Sequence, residues 1–310
     1  MEQTVGDVVP CDGLMKPIFR NYVGGKRGHI RHFKHLLAPC TTYVEPFCGG
    51  AAVYCYMYSN GLAENFILND NNPDLILIYS ELKNNFDKFV RDVQHYANMW
   101  NCLPFENYES EEHKTSRRTR HRRRSPGSPE FDRKDCYYYL RDWEYVRRPL
   151  PAILYVLMQI SFKGVIDNQN KEQFGYFATG CGMCSRTLVV DMDNLYLWHK
   201  ALESTTLLNL DYKDVPIPDN GGALIYCDPI YRNASHYNQD TPTDACLYEM
   251  LEHFQQYPCI YSNTSDGQFF ENNPYGYQYL TFSTNHHMAH VKATEIVLYK
   301  NLSMLKGLPQ

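Results

Sequence analysis

Four short apolar runs constrain this chain most: "TTYVEPF" (41–47), "NFILND" (65–70), "GALIYCD" (222–228) and "PCIYSN" (258–263). They read as strands buried on both faces, and such strands belong in a sheet covered by helices. An α/β fold is therefore expected. A helical pattern follows the second run from about Pro73, with Leu75, Ile76, Ile78, Tyr79 and Leu82 at mixed three- and four-residue spacing. Two further strand-like runs, "YQYLTFS" (277–283) and "ATEIVLYK" (293–300), end the chain. The bridge between them, "TNHHMAHVK", suits an antiparallel pair closing the sheet edge.

With 310 residues, 44% of them hydrophobic, the chain has ample material for one large α/β domain or one domain carrying an insertion. The formal net charge of −5 gives no global hint of nucleic-acid binding, so any such surface must be local. Eleven cysteines are scattered without regular spacing, and the opening "MEQTVGDVVPCDGL" has neither a basic start nor a long apolar run. A reducing, cytoplasmic setting is expected rather than a disulfide framework. No apolar stretch approaches the roughly 18–20 residues of a membrane span.

The middle of the chain differs. From about 81 to 204 the pattern is helical, irregular and rich in Tyr and Arg. Within it, "HKTSRRTRHRRRSPGSPEF" (113–131) joins a basic run to a Pro/Gly/Ser stretch, a composition that buries too little surface to fold alone. The segment is expected to be a mobile loop. The expected organisation is thus a sheet domain from residues 1–80 and 205–310, with 81–204 inserted.

Several segments carry chemistry. In "YVEPFCGGAAV" (43–53) an apolar strand enters a glycine turn, and Gly49 and Gly50 let the backbone approach a ligand closely. Asp70 ends the next run, 20 positions after Gly50, the spacing at which an acid commonly meets ribose hydroxyls. The full GxGxxG is absent, which favours a nucleoside cofactor without a phosphate contact. On these residues alone, a tight turn and an Asp70 helix cap serve equally well. In "NYVGGKRGH" (21–29), Lys26 follows two glycines and Tyr22 precedes them. This pattern suits either an ammonium presented to a carboxylate or a turn into an exposed helix. Finally, "IYCDPIYRN" (225–233) places Asp228, Pro229 and Tyr231 at a strand end.

Taken in order, "KPIFRNYVGGK", "YVEPFCGG", "NDNNPDL" and "YCDPIY" resemble the Dam-like, D12-class adenine-N6 DNA methyltransferases. That family carries K-W/Y-x-G-G-K, E-P-F-x-G-x-G, N-D-x-N-P-D-L and D-P-P-Y. The likeness extends to "YSNTSD" (261–266) and "SFKGVIDNQNKEQFGYF" (161–177), and is thinnest from 81 to 155. It implies a Rossmann-like S-adenosylmethionine-dependent methyltransferase sheet with an inserted, mainly helical target-recognition region. It also implies cofactor contacts at Tyr22, Lys26, Gly49, Gly50, Asp70 and Asp228, with Asp211 a weaker candidate for the cofactor's adenine. Lys26 would lie near the methionine end and Asp70 on the ribose. The setting it suggests is bacterial or phage, in restriction–modification or genome marking.

The chemistry explains the fourth motif. The N6 amine of adenine is a poor nucleophile because its lone pair is delocalised into the ring. Two acceptors aimed at its protons, Asp228 and the Pro229 carbonyl, localise that pair. Charge then builds on nitrogen in the transition state, where Asp228 stabilises it. Tyr231 would stack on the flipped base, and Pro229 stiffens the turn. Ile230 stands where the family has a second proline. It costs rigidity rather than a chemical group, so an active site is expected.

Double-stranded DNA is the expected partner, with single-stranded DNA or RNA as alternatives. The basic run Lys114, Arg117, Arg118, Arg120, Arg122, Arg123 and Arg124 would grip phosphates without reading sequence. The family's GATC-reading arginine is missing from 161–177. Asn168, Gln169, Asn170 and Gln173 instead offer amides that can pair adenine edges, so non-GATC or relaxed specificity is expected. "CGMC" (181–184) is a lone CxxC, and His286, His287 and His290 suit a polar hairpin tip. No metal is expected, and a monomer is the default. The rival functions are methylation of RNA or of cytosine N4, and a non-catalytic DNA-binding homologue.

Overall fold

The protein is described by a computed structural model covering residues 14–19, 22, 24–105, 124–161, 180–182, 185–218, 222–231, 243–265, 269–270, 272–286 and 291–305. Seven strands form one sheet: β1 (Cys40–Glu45), β2 (Ala63–Asn69), β3 (Thr205–Leu208), β4 (Ala223–Cys227), β5 (Cys259–Thr264), β6 (Gln278–His286) and β7 (Val291–Lys300). Their order is β3-β2-β1-β4-β5-β7-β6. The first five are parallel, and β7 runs antiparallel between β5 and β6. The four apolar runs became β1, β2, β4 and β5, and the last two runs form the antiparallel edge pair. All five residues of β4 are buried, as expected for a strand covered on both faces.

Strand β3 is an addition to the sequence reading. It has four residues, and only Thr205 is fully buried, so it has no apolar run to show. The helix Met192–Glu203 delivers it to the β2 edge, and Lys83 Nζ donates to the Thr205 carbonyl at 2.7 Å.

The Pro73–Asn84 helix begins as read. Proline occupies its first turn, and the Asn72 side chain accepts the Asp74 N–H, satisfying a donor that the helix itself cannot. Leu75, Ile76, Ile78, Tyr79 and Leu82 are buried. Tyr79 stacks on the fully buried Trp198 with centroids 5.2 Å apart.

Helices from the middle of the chain, Phe86–Asn101, Arg133–Tyr139 and Pro151–Ile160, share one buried cluster with the sheet residues Tyr43, Leu68 and Leu224. Residues 14–19 strap onto the Pro151–Ile160 and Met192–Glu203 helices. The Lys16 carbonyl accepts Asn194 Nδ2 and Trp198 Nε1, and the Ile18 carbonyl accepts Gln159 Nε2. This strap fixes where the chain enters the glycine segment at 24–28. No helix among the described residues is long and apolar enough to cross a membrane.

Candidate active site

In an open parallel sheet, ligands bind beyond the strands' carboxyl ends where the strand order reverses. Here that point lies between β1 and β4, since β2 and β3 extend to one side and β5 to the other. The glycine turn follows β1 and Asp228 follows β4, so the two motifs meet at the crevice that topology defines.

The glycine turn is held from several directions. Gly49 N–H donates to Asp70 Oδ2 at 2.9 Å, and Tyr79 OH donates to the Gly49 carbonyl at 2.7 Å. Asp70 Oδ1 accepts Asn72 N–H at 2.9 Å. Burial raises the Asp70 pKa, opposed by those two N–H bonds. Asn69, fully buried, extends the tie: its amide donates to the Pro46 and Leu210 carbonyls and its oxygen accepts Leu210 N–H. One asparagine thus links the ends of β1, β2 and β3. Its role was not anticipated, although it directly precedes Asp70.

The two glycines make room for Tyr22. A Cβ on Gly49 would stand 2.9 Å from Tyr22 Cε1, and one on Gly50 3.1 Å from Tyr22 Cβ. Gly49 also has φ +46°. The close approach expected at this turn therefore has a protein partner, an aromatic ring lying across it. Ala51 follows with φ +49°, the left-handed region that costs an alanine roughly 1–2 kcal/mol. It stands at the second glycine of E-P-F-x-G-x-G, a departure readable from the sequence. Ala51→Gly should relieve this strain and stabilise the fold by about 0.5–1 kcal/mol in urea unfolding, net of the added freedom of the unfolded chain.

On the β4 side, Lys26 Nζ lies 2.6 Å from Asp228 Oδ1. It also donates to the Gly24 carbonyl at 2.9 Å and sits 4.5 Å from the centre of the Tyr231 ring. The Lys26 side chain is 4% exposed and that of Asp228 18%. Gly24, with φ +79°, makes the tight turn that delivers the lysine. Tyr231 OH donates to Glu295 Oε2 at 2.6 Å. Glu295, on β7 and 1% exposed, was missed as a site residue, although it is a lone acid inside an apolar run. Glu45, at the end of β1, accepts Tyr43 OH at 2.6 Å.

These groups set one another's protonation. Burial pushes the Asp228 carboxyl up to about 6; Lys26 opposes the rise and Glu295 adds to it. Burial pushes Glu45 up to about 8, opposed by the Tyr43 hydroxyl and the Tyr54 N–H, with Asp228 adding to the rise. At pH 7 Asp228 is therefore mostly ionised and Glu45 mostly neutral. The Cys227 thiol beside Asp228 is pushed well up by burial, which makes it an inert core residue. The described cysteines are free thiols. No group of three or more His, Cys, Asp or Glu among the described residues could hold a metal ion.

The remaining predicted residues lie elsewhere. Asp211 sits beyond β3 at the same edge, exposed, with Oδ1 accepting Lys213 N–H at 3.0 Å. Arg124 is drawn to acids: Nε lies 3.1 Å from Glu130 Oε2 and Nη1 3.8 Å from Asp135 Oδ2. Arg117, Arg118, Arg120, Arg122, Arg123, Asn168 and Asn170 lie outside the described residues. So do Gln169, Gln173, His287 and His290. A cavity of about 320 Å³ opens beside Tyr22 and Gly50, lined also by Lys16, Ile18, Tyr155 and Gln159, and reaches neither Asp70 nor Asp228.

The donor set fits a nucleoside cofactor bearing hydroxyls and an ammonium or carboxylate end. Asp70 spends one N–H bond on each oxygen, and a carboxylate oxygen can accept two, so acceptor capacity remains at the edge of the sheet.

Comparisons with known proteins place the chain in a family. The model of the D12 class N6 adenine-specific DNA methyltransferases matches residues 22–293. The type II methyltransferase M.MjaIII of Methanocaldococcus jannaschii is 25% identical over 198 residues, 61% of this chain and 58% of that protein. The DNA adenine methylase of Serratia marcescens is 24% identical over 216 residues, 69% of this chain and 66% of the relative. The type II methyltransferase M.CviBI of Paramecium bursaria Chlorella virus NC1A is 31% identical over 86 residues, 27% of this chain and 32% of the relative. The matched region thus spans a third to two thirds of each relative's length.

Proposed function

The chain belongs to the D12 class N6 adenine-specific DNA methyltransferases, and from that membership we propose that it transfers a methyl group from S-adenosylmethionine to the N6 amine of adenine in DNA. One observation carries this reading. A nitrogen, Lys26 Nζ, already rests 2.6 Å from the Asp228 carboxylate and 4.5 Å from the Tyr231 ring centre. A slot that seats nitrogen between a carboxylate and an aromatic face is what an exocyclic amine on a stacked base requires. Entry of the base displaces Lys26 from this slot.

The residues divide the work. Tyr231 offers its face to the extruded adenine, offsetting part of the few kcal/mol lost on unstacking. Asp228 and the Pro229 carbonyl accept the two N6 protons and turn the nitrogen lone pair outward. As the new N–C bond forms, positive charge grows on nitrogen beside the Asp228 carboxylate, and the surplus proton leaves through Asp228 to water. Ile230 takes no part in these contacts. The glycine turn, Tyr22 and Asp70 would hold S-adenosylmethionine, which would supply an electrophilic methyl on a sulfonium whose departure as a neutral thioether needs no metal. Lys26, once released from Asp228, stands ready for a carboxylate at the methionine end.

Two relatives are named as type II methyltransferases, which supports a role in protective modification. The residues expected to read sequence context lie outside the described set, and a context other than GATC remains the reading from residues 161–177.

The first test is transfer of a tritiated methyl group from S-adenosylmethionine to duplex DNA and to RNA of mixed sequence. Incorporation into DNA supports the reading, and exclusive incorporation into RNA overturns it. The pH dependence carries a second expectation. Asp228 must be ionised to accept the amine protons, so kcat/KM should fall with slope one as pH drops through about 6. Lys26 lowers the Asp228 pKa, so Lys26→Met should move this acid limb to higher pH. The charged and titratable groups around Asp228 include Lys26, Glu295, Glu45, Tyr226 and Tyr231. Of these, Lys26 is the cation.

A further inference from the structure

We propose that Glu295 is a positioning residue that sets the Tyr231 ring for base stacking, an inference resting on the adenine-methylation reading above. The register places it at the site. Glu295 on β7 stands opposite Thr264, the last residue of β5, and so reaches the carboxyl edge where β4 delivers Asp228. Its neighbours Ile296, Val297 and Leu298 are buried apolar residues, and Glu295 itself is 1% exposed. A sheet gains nothing from a carboxylate at such a position, because desolvating a charge opposes folding. What the carboxylate does there is accept the Tyr231 hydroxyl at 2.6 Å, within the range of a short, charge-assisted O–H···O bond.

That bond acts on the far end of the phenol. Asp228–Pro229 fixes where the turn leaves the strand, but the Tyr231 ring retains its own side-chain torsions. A hydrogen bond at its hydroxyl removes them and holds the ring beneath the slot now filled by Lys26 Nζ. A preset ring does not have to be ordered when the base arrives, which is where preorganisation acts. The Glu295 charge also adds to the rise in the Asp228 pKa. Its removal would by itself ionise Asp228 more readily, so positioning must be read where Asp228 is already ionised.

The test is a double-mutant cycle in single-turnover methyl transfer to duplex DNA at pH 8 with saturating cofactor. Tyr231→Phe keeps the ring and removes the tether, and Glu295→Ala removes the acceptor. Each should slow transfer about tenfold, the scale of one lost hydrogen bond, while leaving the cofactor dissociation constant within about twofold. The double variant should be no slower than either single one, because both break the same contact. Glu295→Gln retains a carbonyl oxygen for the phenol and should recover most of the rate. Multiplying effects in the double variant, or a Glu295→Gln as slow as Glu295→Ala, would overturn the inference. Failure of the underlying reading shows differently, as a wild-type protein that methylates no adenine. If Glu295→Ala does not fold, Tyr231→Phe alone keeps the inference open to refutation: transfer as fast as the wild type's at pH 8 would overturn it.

Discussion

Asp228→Ala is expected to lower methyl transfer by roughly 10²–10³-fold, the typical loss on removing one preorganised group aimed at developing charge. The alanine variant lacks the acceptor that localises the N6 lone pair and the anion that meets the growing positive charge. Its stability should also change, and the direction follows from Lys26. That ammonium is 4% exposed and 2.6 Å from the carboxylate, so Asp228→Ala leaves a buried cation whose remaining partners among the described residues are the Gly24 carbonyl and the Tyr231 ring. Breaking a buried pair from one side costs about 3–5 kcal/mol, reduced here because Asp228 is itself penalised by burial. The combination Lys26→Met with Asp228→Ala removes both charges. It should regain much of the stability and none of the activity. Chemical denaturation beside single-turnover rates separates the two effects, and rapid methylation by folded Asp228→Ala would remove Asp228 from the mechanism.

Asp70→Ala is expected to damage cofactor binding through the turn as well as through any direct contact. Asp70 accepts Gly49 N–H and Asn72 N–H, both at 2.9 Å. Without it, both donors at the mouth of the site lose their partner. A hydrogen bond to a charged group contributes about 1.5–3 kcal/mol. The loss is offset by removing a carboxylate whose pKa burial has raised, which leaves an expected destabilisation of about 1–3 kcal/mol. Cofactor affinity should fall at least tenfold, or about 1.4 kcal/mol, because the turn that shapes the pocket loosens. Asp70→Asn keeps an oxygen for one N–H and should recover part of the stability but little of the affinity. Calorimetric titration with S-adenosylmethionine on both variants gives the comparison. Unchanged affinity in Asp70→Ala would show that the turn holds its shape without the acid.

The parts of the fold legible in the sequence were those written as local pattern. Strands β1, β2, β4 and β5 each carry a short apolar run that the sheet largely buries, continuous through β4, and the Pro73–Asn84 helix carries its proline and cap in place. Strand β3 was not legible, because four residues with one fully buried side chain show no period. The site was legible where its residues lie together in a motif. Lys26, the glycine turn and Asp228 were singled out that way, though the sequence did not say that Lys26 would pair with Asp228. That ion pair joins segments about 200 positions apart and depends on the fold. Glu295 shows the same limit. Its charge stands out in "ATEIVLYK", but its purpose depends on Tyr231, 64 residues earlier. Gly49 and Gly50 were read as positions where the backbone approaches a ligand closely. The neighbour that approaches them is Tyr22, which no spacing rule identifies. Arg124 was grouped with phosphate-gripping arginines by composition, and the fold sets it beside Glu130 and Asp135. A charge run records sign but not partners.

The slot between Asp228 and Tyr231 is proposed to accept the N6 amine of adenine. The most direct measurement incubates the wild-type protein with duplex DNA of mixed sequence and S-adenosylmethionine, digests the DNA to nucleosides and identifies the methylated one. N6-methyladenine, formed far more slowly when Asp228→Ala replaces the wild type, is the predicted result. N4-methylcytosine as the sole product, or no methylated nucleoside from a protein that binds S-adenosylmethionine, would contradict it.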